Sequence, residues 1–378
     1  MRSLLQLSRR LSSLSSPRKQ PAVLLGGSVR FFSETPLCRI DGAQPCGSTP
    51  RDGEIGKLVI TLAASNSWQT HTRDKKVPMS LMTETGTIGG SHGWVATLKD
   101  GVVCLQDDLF PDASYSEPKR ISLPPLQTLP HCQTQLVTNV AMSSASPDED
   151  EDCILAVKFV GPQLSLCRPA LGDKAEWFNI RVTDPGFFSS RVMYSERDDM
   201  FSMPGAGGKL TGSWDLENHR DKPKLLAWHF TSLLELVHSE WRALDNCSTT
   251  DHLVESRQTG ELFMVKQFRE RNNLRGGRME QRQMMVFKLV EDETPLPVGD
   301  GFAWPTRDIG DLCIFLSKSE PFCLNASFYG HLRPNSVYFI DHNEEGVFDI
   351  KTRSTPSVFS PFPAPYYIPP QSYLDVYV

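Results

Sequence analysis

No C-x-x-C pair occurs among the nine cysteines of this 378-residue chain, so neither a zinc ribbon nor a thioredoxin-type couple is encoded. An odd, scattered set of thiols instead suits single buried cysteines in a reduced compartment. No H-E-x-x-H is present, which removes the commonest zinc-hydrolase signature. No apolar run approaches the length of a bilayer-spanning helix, so no transmembrane segment is expected. A general excess of positive charge is also missing. The net charge is −6, which gives no blanket attraction for nucleic acid. What remains, at 39% hydrophobic and 22% charged residues, is the composition of a globular protein with an ample core.

One further absence is local. Residues 1–32 contain no acid, six basic side chains (Arg2, Arg9, Arg10, Arg18, Lys19, Arg30) and seven serines. Leu4, Leu7, Leu11 and Leu14 share one helical face. An Arg-rich, Ser-rich, acid-free amphipathic start is the pattern of an organelle import sequence. Arg30 stands three residues before a cut between Phe32 and Ser33, the arrangement of a mitochondrial presequence site. Chloroplast import shares the composition and is the rival address. Without residues 1–32 the chain holds 33 basic against 45 acidic side chains, a net −12.

Residues 33–55, rich in Gly, Pro and Ser, read as a linker, and 56–378 as one folded domain. From Leu58 onward the chain is a series of short apolar runs bounded by turn residues, among them GWVATL (93–98), GVVCL (101–105), CILAVKFV (153–160), LCIFL (312–316) and SVYFI (336–340). Such runs read as strands. An acidic or glycine turn precedes an alternating strand at DGVVCL, DDMFSM, TGELFMV and EEGVFDI. Units therefore begin near Trp94, Leu136, Arg191, His252 and Leu312, at intervals of 42, 55, 61 and 60 residues. That spacing suits propeller blades with insertions. The expected fold is an all-β propeller of six blades, with five and seven as alternatives. One stretch departs from the pattern: apolar residues at helical spacing predict a short helical insertion within 231–245.

Gly89-Gly90-Ser91-His92-Gly93 matches G-x-S-x-G, the nucleophile elbow of serine hydrolases. That elbow requires a strand, a sharp turn and then a helix. Here Asp100-Gly101 is a two-residue hairpin signal. It sets Lys99 opposite Val102, Leu98 opposite Val103 and Ala96 opposite Leu105, giving one apolar face of Trp94, Ala96, Leu98, Val103 and Leu105. Ser91 thus stands before a strand, and His92 reads as a turn residue. PGAGGKLTG (204–212) fails as a phosphate loop, because Met203 and Leu210 occupy positions that demand glycine and a hydroxyl residue. It reads as a turn between strands. The acidic run at 147–152 lacks the ordered spacing of a calcium loop. No catalytic, cofactor or metal residues are assigned, and an enzyme, such as a hydrolase, is the weakest reading.

The segment FRERNNLRGGRMEQRQ (268–283) carries Arg269, Arg271, Arg275, Arg278 and Arg282 against two glutamates. It reads either as a solvated hairpin or as a contact for RNA phosphates or a partner.

Several stretches occur in a telling order: SHGWVATLKDGVVCLQ, CILAVKFVGPQLSLCRP, RVMYSERDDMFSMPGAGGKLTGSWDL, DHLVESRQTGELFMVKQF and NSVYFIDHNEEGVFDIKTRS. On them the chain resembles the plant domain-of-unknown-function 295 family of KIB-type β-propellers. The likeness is greatest to an organellar branch that carries an import sequence in place of the F-box. The resemblance implies a propeller that recruits a protein partner. It implies no ubiquitin-ligase adaptor as partner here, because strands begin directly after the presequence and linker. The expected function is that of a non-catalytic mitochondrial interaction module, with RNA association through 269–282 as the alternative.

Overall fold

The computed structural model describes residues 36–370, apart from 64–66, 115, 209, 216–223, 233–243, 245, 273–277, 292–298, 343, 356 and 360–362. Residues 1–32, expected to be a presequence, and the expected cleavage residues Arg30, Phe32 and Ser33 lie outside the described residues. The described strands make six blades. Blade 1 holds β1 (Cys38–Thr49), β2 (Gly53–Ala63) and β3 (Trp68–Pro78). Blade 2 holds β4 (Gly89–Ser91), β5 (Trp94–Lys99), β6 (Val102–Gln106) and β7 (Arg120–Pro125). Blade 3 holds β8 (Val137–Met142), β9 (Leu155–Phe159), β10 (Gln163–Cys167) and β11 (Phe178–Arg181). Blade 4 holds β12 (Met193–Ser195), β13 (Met200–Pro204), β14 (Leu210–Asp215) and β15 (Lys224–Ser232). Blade 5 holds β16 (Ser248–Glu255), β17 (Leu262–Asn272), β18 (Arg278–Glu291) and β19 (Gly299–Pro305). Blade 6 holds β20 (Leu312–Leu316), β21 (Phe322–Asn325), β22 (Ser336–Ile340), β23 (Glu344–Asp349) and β24 (Ser357–Phe359). The last strand, β25 (Tyr367–Ile368), returns to blade 1 and pairs with β1. Blades 4 and 5 are joined by the parallel pairing of β15 with β19.

The strands read so clearly in the sequence because most are buried on both faces. In β20, Leu312, Ile314 and Leu316 pack toward blade 5, while Cys313 and Phe315 pack toward blade 1. In β9, Leu155, Val157 and Phe159 face blade 2, and Ala156 faces blade 4. Alternation between two apolar environments leaves a continuous apolar run. Six buried clusters result, one for each interface between neighbouring blades. No disulfide joins the nine cysteines; Cys38, Cys153, Cys167 and Cys313 are buried in these cores and Cys46 is exposed.

The hairpin of β5 and β6 forms in the expected register, with Lys99 opposite Val102, Leu98 opposite Val103 and Ala96 opposite Leu105. Asp100 and Gly101 both take positive φ, at 50° and 77°, as the tight hairpin turn requires. PGAGGKLTG likewise turns between β13 and β14, where Pro204 opposes Thr211.

One expectation is corrected. Residues 33–55 are not a linker throughout, because β1 and the first residues of β2 occupy 38–49 and 53–55. Register shifts at Ile40/Gly42 and Pro45/Gly47 break the period-two pattern, and β1 buries few residues beyond Cys38 and Ile40. A bulged strand of this kind carries little sequence signal. Thr231 and Ser232, at the start of the segment expected to hold a short helix, end β15, opposite Phe302 and Ala303 of β19. Most of 233–245 lies outside the described residues; Leu244 is helical.

Phe315 marks how much the cores hold. It is fully buried, stacked on Phe322 and Tyr338 at 5.0 Å and edge-on to Tyr367 at 5.2 Å. Phe315→Ala is expected to cost about 3–5 kcal/mol. Phe328→Ala, at a side chain 71% exposed, is expected to stay within about 0.5 kcal/mol. Denaturant unfolding of the two variants checks both.

Candidate functional site

The short first strands of blades 2 to 5, β4, β8, β12 and β16, approach one another in sequence, and β16 approaches β21 of blade 6. They line the propeller axis. Gly89 lets β4 come in: its φ is +149°, and a Cβ there would stand 3.0 Å from the Val140 backbone nitrogen of β8. Asn139 of β8 then bridges to blade 4, donating to Val192 O at 2.7 Å and accepting from Val192 N–H at 2.8 Å.

Across this axis runs segment 317–320 of blade 6. Lys318 N–H donates to Pro365 O and Glu320 N–H to Gly90 O. Ser319 Oγ donates to Tyr367 O at 3.0 Å, and Ser317 Oγ accepts from Tyr367 N–H at 3.2 Å. The Glu320 carboxylate accepts from Ser91 Oγ at 2.5 Å and from the Tyr194 N–H at 2.7 Å. Ser91 Oγ in turn accepts from the Met142 N–H at 3.2 Å. One carboxylate thereby links blades 2, 4 and 6 directly, and blade 3 through a serine. Burial, opposed by these hydrogen bonds, raises the Glu320 carboxyl to about 7.

His92 follows Ser91 in a tight turn with φ 52°, ahead of Gly93 at 85°. Its Nδ1 is 2.9 Å from Ser91 Oγ, and its Nε2 is 2.9 Å from Arg257 Nη2. Arginine has only donors to offer, so Nε2 accepts and Nδ1 carries the proton. Burial and the Arg257 guanidinium push the imidazole down to about 3, which keeps it in that neutral form. With Nδ1–H donating toward Ser91, His92 is not placed to take the serine proton. The carboxylate also sits on the serine, whereas an activated nucleophile needs it on the histidine. Ser91 is 2% exposed. Its G-x-S-x-G match is a turn between β4 and β5, as the hairpin reading anticipates.

Two cavities flank this layer. The first, of about 310 Å³, lies where β12 and β16 end and β25 has passed; His92, Tyr194, Glu196, Arg257, Glu320, Phe328 and Pro369 are among its walls. Arg257 pairs there with Glu196 at 3.0 Å. Phe328 ends a single 3-10 turn (Ala326–Phe328) whose start is capped by the Asn325 side chain, with Ala326 buried beneath it. The cap fixes the turn so that Phe328 stands out into solvent on the cavity rim. The second, of about 580 Å³, lies where β4, β8, β12 and β16 begin, with Thr87, Arg191, His252 and Lys318 among its walls. The axial strands run the same way, so the two cavities open toward opposite ends of the axis.

Of the arginines in 268–283, Arg269 turns inward to Asp341, with Glu344 at 3.8 Å, and burial lowers its pKa. Arg271 is exposed at the end of β17. Arg278 and Arg282 lie on β18, and Arg275 lies outside the described residues. Arg257, Glu320, Lys318 and Phe328 were not singled out from sequence, and Arg191 was read only as the start of a blade. Each is an isolated polar or aromatic residue beside a strand, without a motif to mark it.

The axial carboxyl makes a pH-dependent contribution. Glu320 holds its proton to about 7 when folded and to about 4.3 when unfolded, so the folded state binds more protons between those values. The stabilisation is complete at acid pH and is lost as pH rises through that window, on the order of 3 kcal/mol in all. Glu320→Gln, which still offers an oxygen to Tyr194 N–H, is expected to lose this dependence. Unfolding midpoints from pH 4.5 to 8 should therefore move in favour of the glutamine variant as pH rises; parallel curves would count against the carboxyl.

Comparison with known proteins places the chain. No curated protein matches it. Similar solved structures include a functionally unknown protein from Desulfotomaculum acetoxidans DSM 771, 10% identical, at a TM-score of 0.34 and covering 90% of this chain and 89% of the other. The periplasmic gluconolactonase PpgL of Pseudomonas aeruginosa is 10% identical, with a TM-score of 0.39 and coverage of 89% and 99%. Sqt1 of Saccharomyces cerevisiae is 10% identical, with a TM-score of 0.26 and coverage of 86% and 85%. None of these lends a residue role to this chain. Residues 63–349 match the KIB1-4 beta-propeller, and with six blades closed by a returning carboxyl-terminal strand, the chain belongs to that family.

Proposed function

We propose that this protein is a non-catalytic mitochondrial β-propeller that holds a protein partner at the end of its axis, in the cavity rimmed by Phe328. The propeller fold is compatible with a protein-interaction module. The observation that carries the reading is Phe328, a large aromatic side chain 71% exposed beside a concave site of about 310 Å³. Aromatic and arginine side chains around a pocket are the groups that dominate protein interfaces. Arg257 supplies the second, and the capped 3-10 turn holds the aromatic in one place before binding, which lowers the ordering cost. The acid-free, Arg-rich residues 1–32 support the mitochondrial address. The arrangement of Ser91, His92 and Glu320 supports a structural role for the serine.

Affinity purification of the tagged protein from mitochondria tests this. We expect a reproducible protein partner whose recovery survives ribonuclease and falls at least tenfold with Phe328→Ala combined with Arg257→Ala. Loss of the partner on ribonuclease treatment would favour RNA association through 269–282 instead. Recovery unchanged in the double variant would remove this cavity as the docking site.

A further inference from the structure

The larger axial cavity, of about 580 Å³, is within the range of small-molecule sites, and its polar groups are unevenly satisfied. Its acidic walls are spoken for: Asp341 and Glu344 face Arg269, and Glu84 is an exposed residue at the rim. Two cations remain. Lys318 Nζ donates to the Glu84 backbone carbonyl at 2.6 Å, leaving two of its three protons for other acceptors. Arg191 has no hydrogen bond or ion pair among the described residues, and its buried Nε lacks any acceptor. Arg191 is half-buried, with its Nε shut off from solvent and without an acceptor, so a ligand that accepts from it satisfies a donor the fold leaves unpaired.

The opposite polarity is present too. His252 is 4% exposed. Its Nε2 lies 2.9 Å from Gln267 Oε1, so Nε2–H donates there, and the buried Nδ1 is an acceptor without a donor. Burial and the guanidinium of Arg191 push this imidazole down to about 3, so it stays neutral. Arg191, Lys318 and His252 therefore offer the cavity two cationic donors and one neutral acceptor. A carboxylate satisfies the donors but brings no proton for His252. A phosphate monoester, whose second pKa is about 6, keeps one P–OH when bound as its monoanion; its other oxygens accept from the two cations and the P–OH donates to His252, so it meets all three.

We propose that the cavity at the amino-terminal ends of the axial strands binds a small phosphorylated metabolite, its phosphate held by Arg191 and Lys318 and its hydroxyl by His252. The volume leaves room for a sugar-sized body beyond the phosphate. This site is independent of the partner cavity at the other end of the axis.

The test is calorimetric titration of the full-length chain with inorganic phosphate, ribose 5-phosphate, ribose and succinate. Ribose 5-phosphate is expected to bind, inorganic phosphate more weakly, and ribose not at all. Arg191→Met and Lys318→Gln are each expected to weaken ribose 5-phosphate at least tenfold, while Arg257→Gln, at the opposite cavity, leaves it unchanged. Circular dichroism controls for folding; if Arg191→Met does not fold, Lys318→Gln and Arg191→Lys decide, the first weakening binding and the second largely keeping it. Absence of binding by the unaltered chain to either phosphate compound, equal binding by the variants, or tighter binding of succinate would each overturn the proposal.

Discussion

A ring of blades needs a lock where its ends meet, and here the lock reaches the axis. Sheets that pack face to face leave a propeller free to open between the last blade and the first. β25 closes that gap by pairing with β1, which also covers an edge that would otherwise be exposed. Two residues of pairing are a weak clasp alone. Segment 317–320 reinforces it, bonding on one side to Pro365 and Tyr367 and on the other to Gly90, Ser91 and Tyr194. The Glu320 carboxyl is the centre of this arrangement. A neutral side chain of the same size makes one fewer strong bond, and an apolar one leaves a buried N–H and hydroxyl without partners.

The lock also divides the axis. The layer of Ser91, Glu320 and the Tyr194 backbone lies between two cavities of different character. One presents an exposed phenylalanine, prolines and a paired arginine; the other presents two half-buried cations and a neutral histidine. Both histidines at the axis are held neutral for the same reason: burial disfavours the imidazolium, and a neighbouring guanidinium adds to the penalty. Below the ordinary histidine pKa the unfolded chain takes up protons that the folded one refuses, so these residues oppose folding as pH falls from about 6.5 toward 3. Glu320 acts in the opposite sense.

Those parts of the fold that face two apolar neighbours were legible in the sequence. LCIFL, SVYFI and CILAVKFV announce strands because both faces are buried, and Asp100-Gly101 sets a register that β5 and β6 adopt residue for residue. Five blade starts emerge from the repeat, near β4, β8, β12, β16 and β20. Blade 1 was hidden because its pattern is interrupted by bulges at Gly42 and Gly47, and because its innermost strand comes from the far end of the chain. No local pattern reveals a partner more than three hundred residues away. The axial groups were hidden for a related reason. Lys318 and Glu320 come from blade 6 and Arg191 from the start of blade 4, and only ring closure brings them to one line.

Ser91 shows what separates a set of residue types from a site. A serine, a histidine and a glutamate meet here at hydrogen-bonding distance, inside a G-x-S-x-G match. Yet the order of contacts is that of a structural tie. The serine gives its proton to the glutamate and receives two from Met142 N–H and His92 Nδ1–H, while Arg257 occupies the remaining lone pair of the imidazole. No acceptor is left to draw the serine proton toward the histidine. The same three side chains, with the carboxylate on the histidine and the serine at a strand-to-helix turn, would make a nucleophile. The hairpin written into Asp100-Gly101 forbids that turn, so the local sequence that shapes blade 2 also determines what its serine does.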